Sequence, residues 1–303
     1  MSRPAPRTID EYLAALRAEL AGQDPALIQD ALYDASEYLR AEVAAHHGTP
    51  EAEVLERVMS TYGRPEEIAV AYRDTELTVT QALHPPASRR SSSPNPLDRF
   101  FAVYSDPRAY MSLFFMFLSL ATGIVYFIFA LTGLALSLGL AILIVGLPVF
   151  IAFLGIARVI SLGEGRLLEA VSGERMPRRP AQLPPRGGLW GRIRTMLRDA
   201  RTWTTVGYLH LMLPLGVVYF VFATTALSLG VSLLLVPLVG IAQRLEWWPW
   251  APQRIAISPA WLDTPAGWIV CIVFGPLVLT GLLHVARTVV AAHARVAKAL
   301  LVS

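Results

Sequence analysis

The sequence predicts an all-α protein, a small cytoplasmic helical domain followed by a four-span transmembrane helical bundle made of two repeated hairpins. Three observations predict it. Of the 303 residues, 54% are hydrophobic and only 16% charged, a balance that suits a membrane body better than a soluble core. The apolar run GIVYFIFALTGLALSLG, beginning at Gly123, returns ninety-three residues later as GVVYFVFATTALSLG, beginning at Gly216, and such a self-match sets the architecture. Charge is also segregated: residues 1–83 hold fifteen acidic and seven basic side chains, a net of −8, against eight and nineteen, a net of +11, in the remainder. An acidic head therefore precedes a basic membrane body.

The head, residues 1–83, reads as a series of short helices. Thr8 followed by Glu11 is a capping box, after which Ile9, Tyr12, Leu13, Leu16 and Leu20 recur at helical spacing up to Gly22. Asp24-Pro25 supplies a cap and a first-turn proline for a second helix, whose apolar face runs through Ile28, Leu32, Ala35, Leu39 and Val43 to a stop at Gly48. Thr49-Pro50 repeats the device for a third helix bearing Val54, Leu55, Val58 and Met59 and closed by Gly63, and Arg64-Pro65 opens a fourth with Ile68, Ala69 and Tyr72. Helices this short are marginal alone in water, so their apolar stripes are expected to pack together or onto a partner.

No continuous apolar segment opens the chain as a signal peptide would, so the head is expected in the cytoplasm. His46, His47 and His84 lack a third ligand at metal spacing, and Cys271 stands alone in an apolar stretch. No metal, cofactor or intrachain disulfide is expected.

Residues 84–99, rich in Pro and Ser, are expected to form a flexible linker that lets the head move. The first hairpin with its amphipathic tail occupies 100–175, and the uncharged stretch 109–157 fits two spans with a tight turn near 132–138. A basic connector follows at 176–195, and the second hairpin fills 196–303. Asp106, Arg108 and Tyr110 have counterparts at the same offset in Asp199, Arg201 and Trp203, whereas Arg158 and Arg287 are 129 apart. The second copy thus carries an insertion, at about 231–263, after Gly230.

Arginines crowd the connector, the excess expected of a cytoplasmic loop, so both termini are expected on the cytoplasmic side of a bacterial inner membrane. In the second copy, spans are expected at 204–226 and 264–286, with the apolar piece 228–243, interrupted by Pro237 and Gly240, lying in or dipping into the outer interface. At the cytoplasmic ends, the stretches after Arg158 and Arg287 alternate apolar and polar residues as amphipathic helices do.

The candidate ligand-binding residues are Trp247, Trp248, Trp250, Arg254 and Trp261 in the insertion, either an aromatic belt or a lid over a lipid-like or peptide-like ligand. His210 and His284 are the candidate intramembrane switch residues, since ionisable groups in spans are functional candidates; the alternative is a neutral ring packed or hydrogen-bonded within the bundle. Glycines such as Gly123 and Gly216 are expected to let helices approach closely. No nucleophile and base pair, no carboxylate pair and no phosphate-binding glycine motif is present, so no catalytic residue is assigned.

The turns HGTPEAEV and YGRPEEIA, with the helices around them, resemble the HTH-associated alpha-helical signalling (HAAS) domain over residues 7–75. That resemblance implies a protein-interaction module of the kind found on membrane proteins encoded near PadR-type repressors. Residues 100–303, with DPRAY, GIVYF, LSLG, the A-R to R-L-L-E-A-V-S-G tail and the second D-x-R-T-W start, resemble the sensor domain of actinobacterial-type membrane proteins. Membrane sensing is what this resemblance implies. The residues carry neither a phosphoacceptor His-Glu motif nor ATP-binding glycine boxes, so kinase activity is not expected.

The sequence is thus read as a non-enzymatic membrane sensor. Its expected partners are the lipid bilayer, a cytoplasmic transcriptional regulator of PadR type and a second copy of the chain, with no direct nucleic-acid binding. The alternative reading is a small transporter or lipid-handling protein whose repeat-related halves enclose a path, disfavoured by the few spans and the absence of mid-membrane charge.

Overall fold

The computed structural model describes residues 5–83, 95–143, 145–177, 179, 194, 197–245 and 260–302. Among these the secondary structure is helical throughout, without a strand. The head comprises α1 (Ile9–Glu19), α2 (Pro25–Ala45), α3 (Glu51–Thr61) and α4 (Pro65–Leu83). A short α5 (Pro96–Phe101) precedes four long helices, α6 (Pro107–Gly139), α7 (Gly146–Ser172), α8 (Ala200–Arg244) and α9 (Pro265–Val302).

Local chemistry sets the boundaries in the head. Thr8 Oγ1 accepts from the Glu11 amide at 3.2 Å, and Asp24 Oδ1 accepts from the Ala26 amide at 2.8 Å, capping α1 and α2. Gly22, Gly48 and Gly63 close the helices at φ of 83°, 94° and 116°, a region open to glycine and costly to other residues. The third helix departs from expectation, since Pro50 takes the cap position and no side chain caps α3. Tyr12, Leu16, Leu20, Ala35, Leu39, Leu55 and Ala69 are buried in one core, so the four stripes do pack together. Tyr12 donates its hydroxyl to the Gly63 carbonyl at 2.8 Å, tying α1 to the turn between α3 and α4.

Four helices, Pro107–Leu143, Gly146–Ser172, Ala200–Arg244 and Pro265–Leu301, are long and apolar enough to cross a bilayer. Within their most apolar windows only 17% to 33% is buried. The remaining apolar surface needs lipid around it, because water would leave it as a continuous exposed patch.

Two expectations are corrected. The first hairpin does not turn at 132–138: α6 continues to Gly139 and a 3-10 turn, Leu140–Leu143, follows. Apolar residues around Thr132 and Gly133 carry no helix stop, and Gly133 instead admits the Phe153 ring of α7. Nor does the second hairpin break at 228: α8 runs unbroken through Pro237 to Arg244. Gly230 and Gly275 receive Leu279 and Leu234, Gly240 lies against the Trp268 ring, and the Arg244 guanidinium stands 4.3 Å from that ring's centroid. This packing between α8 and α9 holds the segment helical despite the amide that Pro237 lacks. Of the expected linker, 84–94 lies outside the described residues, while Asn95 caps α5 by accepting from the Leu97 amide at 3.3 Å.

The chain divides into two compact units, one formed by Met1–Arg90, Ala130–Tyr208 and Ala294–Ser303, the other by Ser91–Phe129 and Leu209–His293. In the second unit α6 and α8 cross backbone to backbone. A Cβ on Gly123 would overlap the Met212 carbonyl, and one on Gly216 would overlap the Ser119 carbonyl. Ser119 and Met212 are themselves ninety-three residues apart, so the repeat meets its own copy at equivalent positions.

Candidate functional site

Trp247, Trp248, Trp250 and Arg254 lie outside the described residues. Trp261, the remaining candidate of the insertion, is 53% exposed on the short Ala260–Asp263 turn, where its carbonyl accepts from Thr264 Oγ1 at 2.6 Å. It anchors the first turn of α9, and no neighbouring ring encloses a ligand with it among the described residues.

The two candidate histidines are both packed in the second unit. His210 meets Phe127 edge to face, ring centroids 5.5 Å apart, while Phe117 meets Phe220 in the same way at 5.9 Å. The repeat offset carries Phe117 onto His210 and Phe127 onto Phe220, so His210 occupies an aromatic packing position. His284 stacks on Phe100 and its Nε2 lies 3.0 Å from the Phe100 carbonyl. Both rings are half-buried and have partners within the bundle.

Sequence reading overlooked Glu164 and His293, whose positions match at the 129-residue offset. Both are buried, at 2% exposure each. Tyr208 donates to Glu164 at 3.4 Å, and Tyr219 lies 3.2 Å from His293 Nδ1. The offset linking Arg158 to Arg287 was the signal that could have paired them.

The richest polar assembly lies in the first unit, where the head meets the ends of α7, α8 and α9. Arg175, just past α7, pairs with Asp30 of α2 at 3.2 Å and with Glu76 of α4. Arg179 donates its amide to Asp30 at 2.8 Å, accepts from the Gln29 side chain at 2.7 Å, and directs Nε to Asp34 at 2.9 Å. Arg201, in the first turn of α8, donates to Gln29 at 3.2 Å, and Lys298 of α9 pairs with Asp24 at 2.6 Å. Asp30 is 5% exposed and Gln29 8%, which is tolerable because both side-chain polar atoms of each are hydrogen-bonded. Tyr72 donates to Asp34 at 2.8 Å, and burial, then that bond, pushes its phenolic pKa up.

The two repeats also exchange partners. In the first unit Arg158 of α7 stands 4.0 Å from Asp199, which caps α8; in the second, Arg287 of α9 lies 3.0 Å from Asp106, ahead of α6. Each repeat's second helix therefore binds the start of the other repeat's first helix. Even the aromatic locks match: Tyr110 donates to the Tyr104 carbonyl at 3.0 Å and Trp203 to the Leu197 carbonyl at 2.9 Å.

A helical head joined by ion pairs to four long, lipid-demanding helices defines a multi-pass membrane protein. The chain belongs to the family described as "Putative sensor", whose profile matches residues 115–301, and its N-terminal part matches the HAAS family over residues 11–71. Neither a curated protein nor a solved structure matches it.

Proposed function

We propose that this protein is a non-enzymatic membrane sensor whose head relays the state of the helix bundle to a cytoplasmic protein partner. The observation that carries the reading is the seat of the head: Asp24, Gln29, Asp30, Asp34 and Glu76 bind Arg175, Arg179, Arg201 and Lys298 at the ends of three long helices. A change in the spacing of those ends alters several ion pairs at once, and the acidic face of α2 is freed in proportion. Freed carboxylates would then favour a basic surface on a partner, for which a PadR-type regulator is the candidate the HAAS match suggests. The arginine-rich connector supports cytoplasmic termini.

The test is a transcriptional reporter in cells expressing the full chain, a chain lacking residues 5–83, and Arg175→Ala. The relay predicts that deletion abolishes the signal-dependent response and that Arg175→Ala makes it constitutive. Unchanged output in both variants would refute it.

A further inference from the structure

We propose that the first unit holds a specific site for a phosphate-type oxyanion at the start of α8, beside the seat of the head. A cavity of about 60 Å³ opens there, lined by Arg158 and Ser161 of α7, Asp199, Arg201 and Thr202 of α8 and its cap, and Gln29 of the head. It is less than half the ~150 Å³ that admits a benzene, so a compact oxyanion or a few waters fit and a drug-sized ligand does not. The two arginines outweigh Asp199, leaving a net positive lining at the positive end of a helix of 45 residues.

A second observation points to a ligand independently. Thr202 lines the cavity and is 5% exposed, yet its buried Oγ1 has no hydrogen-bond partner among the described residues. A buried hydroxyl left unpaired is costly, and an acceptor in the cavity would satisfy it.

The other repeat supplies an internal control. The positions matching Thr202 and Ser161 are Ala109 and Val290, both buried and apolar, and there the Arg287 to Asp106 pair closes to 3.0 Å. Where hydroxyls replace the apolar pair, Arg158 stands 4.0 Å from Asp199 and the cavity opens between them. Ser161 donates its hydroxyl to the Arg158 carbonyl at 2.9 Å, so it is Thr202 that distinguishes this position from its apolar copy.

The oxyanion is either free phosphate or the phosphate of an anionic lipid headgroup, and the site's chemistry accepts both. Gln29 forms one wall and also bonds Arg201, so occupancy ties the head to its seat. This regulatory consequence rests on the relay reading; binding itself does not, and each can fail alone.

The experiment uses the full chain, delipidated in maltoside detergent at constant ionic strength. In one arm, equilibrium dialysis measures radiolabelled inorganic phosphate against chloride; in the other, native mass spectrometry measures retained phosphatidylglycerol against phosphatidylcholine. Saturable binding of one ligand per chain is expected in at least one arm, weakened about tenfold by Thr202→Val and by Arg201→Gln and unchanged by Arg108→Gln, the counterpart in the other repeat. Phosphate binding alone names the free ion; phosphatidylglycerol retention alone names the headgroup. Thr202→Val keeps the side-chain volume, so the test stands even if Arg201→Gln fails to fold. No saturable binding in either arm, or equal loss in Arg108→Gln and Arg201→Gln, overturns the proposal.

Discussion

Arg287 of α9 lies 3.0 Å from Asp106, the residue that caps the opposite repeat's first helix. The bond crosses between repeats, so a hairpin severed from its copy loses it. Arg287→Ala should cost no more than about 1 kcal/mol, because both side chains are partly exposed and such pairs are weak. Thermal melts in detergent would measure this, and the charge-exchanged double variant Asp106→Arg/Arg287→Asp should recover part of the loss.

Gly123 and Gly216 each face the other helix's backbone at the α6 and α8 crossing. Gly123→Val and Gly216→Val should each destabilise the bundle by about 1–3 kcal/mol, since a backbone carbonyl yields less readily than a side chain. Gly207→Ala, with nothing within 4 Å of its added Cβ, should stay within about 0.5 kcal/mol of the parent. Comparable losses at all three positions would show that close approach is not what these glycines provide.

Arg175 is 11% exposed at its side chain and serves Asp30 and Glu76 together. Arg175→Ala leaves two mostly buried carboxylates without their cation, a change that costs about 3–5 kcal/mol when a pair is fully buried and less here. Hydrogen exchange should rise in α2 and α4 while the amides of α6 remain protected. Unchanged exchange in α2 would mean that the ion pairs do not hold the head.

The head should weaken in alkali. Burial raises the pKa values of Tyr12, Tyr62 and Tyr72, with nearby charge contributing, and for Tyr72 also its bond to Asp34. The folded head therefore keeps protons that the unfolded chain releases, so this contribution is full below about pH 10 and is lost as pH climbs beyond it. Exchange rates in α1 and α4, corrected for intrinsic chemistry, should rise across that window, and Tyr72→Phe should flatten the dependence. A flat profile in the parent would contradict the burial of these phenols.

His210→Phe should preserve the fold within about 1 kcal/mol, because the repeat places Phe117 in the same edge-to-face position. Signalling in the reporter strain should survive as well. Loss of signalling with retained thermal stability would return His210 to the role of a switch.

The parts of the fold visible in the sequence were those set by local chemistry. Gly22, Gly48 and Gly63 ended helices where the pattern placed them, and the repeat registered Asp106 with Asp199 before any geometry was known. The continuity of α8 was hidden, because Pro237 and Gly240 are local breakers whose effect is overridden by packing on α9. Glu164 and His293 were hidden for a related reason: on amphipathic tails a polar residue reads as solvated, and only the neighbouring helices reveal that it is buried. The seat of the head was invisible too, since nothing in a stretch of acids and a distant arginine run states that the one neutralises the other.

Unbroken from Ala200 to Arg244, α8 measures about 67 Å along its axis, more than twice the ~30 Å of bilayer hydrocarbon. A rod of that length is a lever. A tilt of about 10° around its midpoint would carry each end sideways by roughly 6 Å, more than the reach of a hydrogen bond. Arg201 sits at one end, so small rotations at mid-membrane would be enough to take its guanidinium away from Gln29.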